Sequence, residues 1–129
     1  MKISLWKDRE KGIVDPKLFS EKADGLAQKL APNRKMDKGS QLRKFYDEIV
    51  RLDMLAKSDR EPWENVLPFV HMVTAKAAYA KGRSLVSDDF LEFIKNGIDQ
   101  IDTPKDLAVF TSFFESFLGF YKMHRPKDN

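Results

Sequence analysis

The chain has no cysteine and only two histidines among its 129 residues. Disulfides, thiolate metal sites and a thiol nucleophile are therefore excluded. His71 and His124 lie far apart and lack acids at ligand spacing, so no His-Glu-x-x-His zinc pattern is present. The six glycines are scattered rather than gathered into a phosphate-cradling loop, and there is no Gly-x-Ser-x-Gly elbow. Asp88-Asp89 has the look of a paired carboxylate, but it directly follows Ser87 at a helix start, where acids favour the dipole. The expectation is a protein without catalytic activity, metal or cofactor. No apolar run approaches the roughly 18 residues of a membrane span. Met1–Asp8 carries no secretory h-region, so the expected location is the cytoplasm.

An excess of one charge is missing too: 23 Lys and Arg face 20 Asp and Glu, for a net of +3. The distribution is more telling than the total. Residues 31–83 carry 11 basic and 7 acidic side chains, whereas residues 84–129 carry 5 and 8. A basic middle and an acidic C-terminal third suit a chain that meets a polyanion with one face and protein with another.

The periodicity predicts a single all-α domain over residues 1–129, a compact bundle of about five helices. Asp15-Pro16 reads as an N-cap with proline at N1, followed by Phe19, Ala23, Leu26 and Leu30 on one face. Ser40 is expected to cap a second helix with Leu42, Phe45, Tyr46, Ile49, Leu52 and Ala56 inward. A third helix runs from Pro62 or Pro68 to Lys81, with Val66, Phe69, Val70, Val73 and Ala77 buried. Ser87 caps a fourth, with Phe90, Leu91, Ile94, Ile98 and Ile101 on one side. Thr103-Pro104-Lys105-Asp106 combines an N-cap, an N1 proline and an acid at N3. The last helix then follows to about Met123, and its stripe of Phe110, Phe113, Phe114, Phe117, Leu118, Phe120 and Tyr121 is expected to be core. Residues 1–14 and 124–129 are expected to be peripheral.

With catalysis excluded, polyanion binding is the chemistry that remains. Lys76, Tyr79 and Arg83 share one helical stripe, Lys81 lies close by, and no acid follows until Asp88. Gly82 is a natural C′ residue, so the same cations also suit a helix C-terminus facing its own dipole. Lys38, with Arg34 and Lys35, faces Asp37 in a loop. Arg43, Lys44 and Arg51 share the solvent side of the second helix, where Arg43–Asp47, Asp47–Arg51 and Lys44–Glu48 are at i,i+4 spacing. Phosphate contacts need only well-placed cations and carry no sequence information. Few aromatics look exposed, which argues against a base-stacking platform. The expected ligand is a nucleic acid held by its backbone.

Three motifs then occur in order: Ser40-Gln41-Leu42-Arg43-Lys44-Phe45-Tyr46, Lys76-Ala77-Ala78-Tyr79-Ala80-Lys81-Gly82-Arg83, and Phe113-Phe114-Glu115-Ser116-Phe117-Leu118-Gly119-Phe120-Tyr121-Lys122. Over residues 39–123 the chain resembles the small subunit of the type III-A CRISPR effector, the Csm complex, of antiviral defence. The resemblance implies a non-catalytic subunit, several copies of which stack along the guide RNA–target RNA duplex and bind it without sequence preference. It also implies self-association and contacts with other effector subunits. Arg43 and Lys44 match the basic pair after the family's Ser-x-Leu/Ile opening, and Lys76, Lys81 and Arg83 match its Lys…Gly-Arg segment. Two other readings of the residues stay open: a helix-turn-helix-like DNA-binding regulator, and a helical protein-interaction module with no nucleic-acid role.

Overall fold

A computed structural model describes residues 2–127, which form five α-helices preceded by one π-helical turn. The π turn, Leu18–Lys22, runs directly into α1 (Ala23–Leu30). Then come α2 (Gly39–Lys57), α3 (Trp63–Gly82), α4 (Asp88–Asp99) and α5 (Pro104–His124). The fold is all-α, as the periodicity predicts; among the described residues the sole β pairing is an isolated bridge between Asp8 and Ile13. Helix α5 packs against α1 and α2, while α3 packs against α2 and α4.

Phenylalanine fills the centre. Leu107, Phe110, Phe113, Phe114, Phe117 and Tyr121 line the inner side of α5 and are all buried. They surround Phe93 of α4, whose ring lies 5.4–6.0 Å, centroid to centroid, from Phe90, Phe110, Phe113, Phe114 and Phe117. Mutual edge and tilted contacts of this kind add to the burial of about 1.5–3 kcal/mol per ring. Phe93 lies one turn beyond Phe90, so the buried face of α4 is wider than the sequence stripe suggests. Gly97 makes room for it: a Cβ there would overlap the edge of the Phe110 ring.

The helix ends follow local chemistry. Ser87 accepts from the Phe90 N–H at the start of α4. Thr103 and Asp106 form a complete capping box on α5, with proline at its first position. Other boundaries move. Helix α2 starts from Lys38, with Ser40 already inside it. Pro68 sits within α3, which begins at Trp63. Gly82 stays helical, and the left-handed residue that ends the segment is Ser84, at φ 60°. The π turn shifts the angular register, so Leu18 is buried and Phe19 is more than a third exposed. Phe69, expected in the core, is likewise outside it.

Both ends carry buried side chains among otherwise mostly exposed residues; Met1, Asp128 and Asn129 of those segments lie outside the described residues. Leu5 is fully buried and Ile3 nearly so. Side-chain amides of α4 and its C-cap residue take the place of a neighbouring strand: the Ile3 N–H donates to Asn96 Oδ1 (3.0 Å), the Leu5 N–H to Gln100 Oε1 (2.9 Å), and Gln100 Nε2 to the Ile3 carbonyl (2.6 Å). Trp6 Nε1 and Arg9 Nη1 donate to Asp106 Oδ1 at 2.7 and 2.8 Å, while the N–H groups of Asp102 and Thr103 donate to Oδ2. At the other end Arg125 is buried, because its guanidinium closes the 33–37 loop. Its Nη1 lies 3.1–3.2 Å from the carbonyls of Asn33, Met36 and Asp37.

Gly97→Ala should destabilise the fold by about 1–3 kcal/mol, since Phe110 is held among other rings and cannot withdraw. Urea unfolding reads this, and an unchanged midpoint would mean that the ring cluster is loose. Burial alone would raise the Asp106 carboxyl, but four hydrogen-bond donors hold it at about 2. Its folded value lies below the unfolded one, so its stabilisation is present above about pH 4 and is lost as pH falls towards 2. At neutral pH this amounts to about 2 kcal/mol. Asp106→Asn should remove that amount and flatten the acid limb of a stability–pH curve; a limb as steep as the parent's would refute the assignment.

Candidate nucleic-acid interface

Helix α2 and the C-terminal half of α3 leave a groove of about 340 Å³ between them. Lys44 and Gln41 line it from α2, and Lys76, Tyr79 and Arg83 from α3; Phe45, Val73, Ala80 and Leu85 give it an apolar floor. Lys76 and Arg83 are seven residues apart, two helical turns, which sets them on the same side of α3 with Tyr79 between. Ala77 and Ala80 are buried beneath this stripe.

The seven candidate cations do not act as one set. Lys44, Lys76 and Arg83 meet in the groove. Lys81 does not: it is turned by about 140° from Lys76 around α3, and its Nζ lies 3.5 Å from Asp88 Oδ1 at the start of α4. Arg43 is on the far flank of α2, beside Leu118, Tyr121 and Lys122. Lys38 is exposed at the N-cap of α2. Arg51 borders a separate hollow with Leu55, Asn65 and Phe69. Asp37 does not neutralise Arg34, Lys35 and Lys38 as the loop's composition suggested. It is buried, and its carboxylate accepts from the Ser87 backbone N–H at 2.7 Å and from the Ser87 hydroxyl.

The groove is also not free of acid. Glu48 Oε2 lies 3.0 Å from Lys76 Nζ, and the same carboxylate takes two hydrogen bonds from Arg51, at 2.8 and 3.0 Å. Among the described residues these are the ion pairs on this face, in place of the three i,i+4 pairs that the spacing suggested. The hydrogen bonds from Arg51, then Lys76, pull the Glu48 carboxyl down to about 2 against the opposing effect of burial. Three cations and one carboxylate leave the groove positive. Arg83 has a different neighbour: its guanidinium carbon lies 5.8 Å from the centroid of the Tyr79 ring.

Tyr79 is the residue that the sequence reading undervalued. It is 69% exposed, which weakens the argument from few exposed aromatics against a stacking platform. The signal was present, since Tyr79 is three residues after Lys76 and four before Arg83 with exposed Ala75 and Ala78 alongside. The Glu48–Lys76 pair, by contrast, joins residues 28 apart on different helices and has no local signature.

The family model described as Csm2 Type III-A matches residues 14–127. The chain belongs to this family. It is thus a small subunit of the type III-A Csm complex. The match takes in the π turn and α1, which the sequence resemblance over 39–123 left aside, and both walls of the groove. No curated protein and no solved structure matches the chain. Among the described residues, no helix is long and apolar enough to cross a membrane, and no cluster of three or more His, Cys, Asp or Glu could hold a metal ion.

Glu48→Gln should cost about 1 kcal/mol of stability at neutral pH, because its partners are largely solvated and the attraction is screened. Thermal unfolding measures this. A loss above about 3 kcal/mol would mark the carboxylate as a structural lock and remove Lys76 from the available cations.

Proposed function

We propose that this Csm2-family chain is a non-catalytic, cytoplasmic RNA-binding subunit of the type III-A complex. Several copies stack along the guide RNA–target RNA duplex, self-associating and touching other effector subunits, and they contact backbone without sequence preference. The observation that carries the reading is the convergence of Lys44, Lys76 and Arg83 on one groove with a single facing carboxylate. Solvated cations on a rigid wall attract phosphates by charge and release counterions on contact, which gives affinity without base readout. Sequence choice in such a complex falls to guide pairing, and the protein needs only shape and charge. The regulator alternative asks for a helix free to enter a groove after the Ser58–Pro62 connection. In α3 that stretch has Val66 and Val70 buried and Trp63 bonded to the Asp102 carbonyl.

Fluorescence anisotropy with labelled RNA tests the reading. Affinity should fall steeply with salt and differ little between unrelated sequences. Replacing Lys44, Lys76 and Arg83 together with alanine should weaken binding at least about tenfold and reduce the slope of log K against log salt by about 2. Lys81→Ala should change little, since Lys81 lies off the groove. A triple variant that binds like the parent would overturn the site, and a parent that binds no RNA at low salt would overturn the function.

A further inference from the structure

Lys44, Lys76 and Arg83 explain attraction for phosphate, but they do not explain the ring among them. Tyr79 keeps 69% of its surface in water, and its hydroxyl has no hydrogen-bond partner among the described residues. A tyrosine serving the fold would bury its ring or bond its hydroxyl, as Tyr121 does with the Asp37 carbonyl. Tyr79 does neither, and the side chains beside it on the surface, Ala75 and Ala78, are too small to cover it. The guanidinium of Arg83 is 5.8 Å from the ring centroid, which restrains the ring by cation–π attraction. The groove that the ring borders has an apolar floor and a rim of three cations and the Glu48 carboxylate.

We infer that Tyr79 is a stacking platform for an unpaired RNA base, so that the groove takes a nucleotide by its base as well as by its phosphates. The inference rests on the RNA-binding reading and extends it from backbone contact to single-stranded nucleotides. A nucleobase offers a flat apolar face to the ring, and the phosphates attached to it reach Lys44, Lys76 or Arg83. Few other ligands combine a planar face with anionic groups on both sides. Every base has a π face, so stacking tolerates any sequence and agrees with recognition that ignores base identity. Gln41, on the opposite wall, is within the same groove and offers an amide to a base edge. Arg83 is a positioning residue for the ring in addition to being a cation.

The test compares a short fluorescein-labelled oligoadenylate with an abasic strand of the same ribose-phosphate backbone, bound to the intact chain. The parent should prefer the strand with bases by about tenfold. Tyr79→Ala should abolish that preference while keeping the salt slope, because no phosphate contact is lost, and Tyr79→Phe should retain it. The ring is exposed, so neither variant endangers the fold, and unchanged circular dichroism verifies this. Equal binding of the two strands by the parent, or a preference that survives in Tyr79→Ala, would overturn the inference and leave backbone-only RNA binding standing. Absence of binding to either strand at low salt would overturn both.

Discussion

One buried residue, Asp37, joins the parts that make the groove. Its N–H donates to the Leu85 carbonyl just after α3, and its carboxylate takes the N–H and hydroxyl of Ser87 at the start of α4. Its own carbonyl receives the Tyr121 hydroxyl and Arg125 from the end of α5. The residue holds φ at 58°, a left-handed conformation that aspartate tolerates better than most side chains. Burial pushes its carboxyl up, while Ser87 and the Arg125 charge act in the opposite direction. Helix α2 begins two residues later, so the knot fixes where that helix starts relative to where α3 ends. Lys44 of α2 and Arg83 at the end of α3 line the groove on either side of this junction.

Elements whose determinants are local were readable in advance. The Thr103–Asp106 box, the Ser87 cap and the α5 aromatic stripe each depend on residues within a turn or two of one another. What escaped depended on groups far apart. Residues 1–14 are too polar to announce a core segment, yet Asn96 and Gln100 supply the hydrogen bonds that let Leu5 be buried. Arg125 looks like a tail cation until the three carbonyls it closes upon are brought together by tertiary structure. Helical spacing alone puts Phe69 on the buried face, but the buried row of α3 follows Val66, Val70, Val73 and Ala77, leaving Phe69 exposed.

The candidate site divides along the same line. That Lys76, Tyr79 and Arg83 share a stripe follows from helical geometry and needs no coordinates. That Lys44 joins them, that Lys81 leaves, and that Glu48 sits opposite Lys76 are facts of how α2 and α4 lie against α3. A count of charges along the chain treats Lys81 and Lys44 as equals. Tertiary packing gives one a carboxylate at the next helix start and the other a place in a groove.

The Trp6–Asp106 contact spans 100 residues, and the Arg125–Asn33 contact spans 92. During synthesis, Trp6 and Leu5 leave the ribosome long before the carboxylate and amides that receive them exist. The segment around Trp6 therefore docks only after α4 and α5 are made, and loop 33–37 stays open until α5 is complete. Fusions placed before residue 2, or nascent chains stalled short of residue 125, would interrupt a late docking step rather than early helix formation.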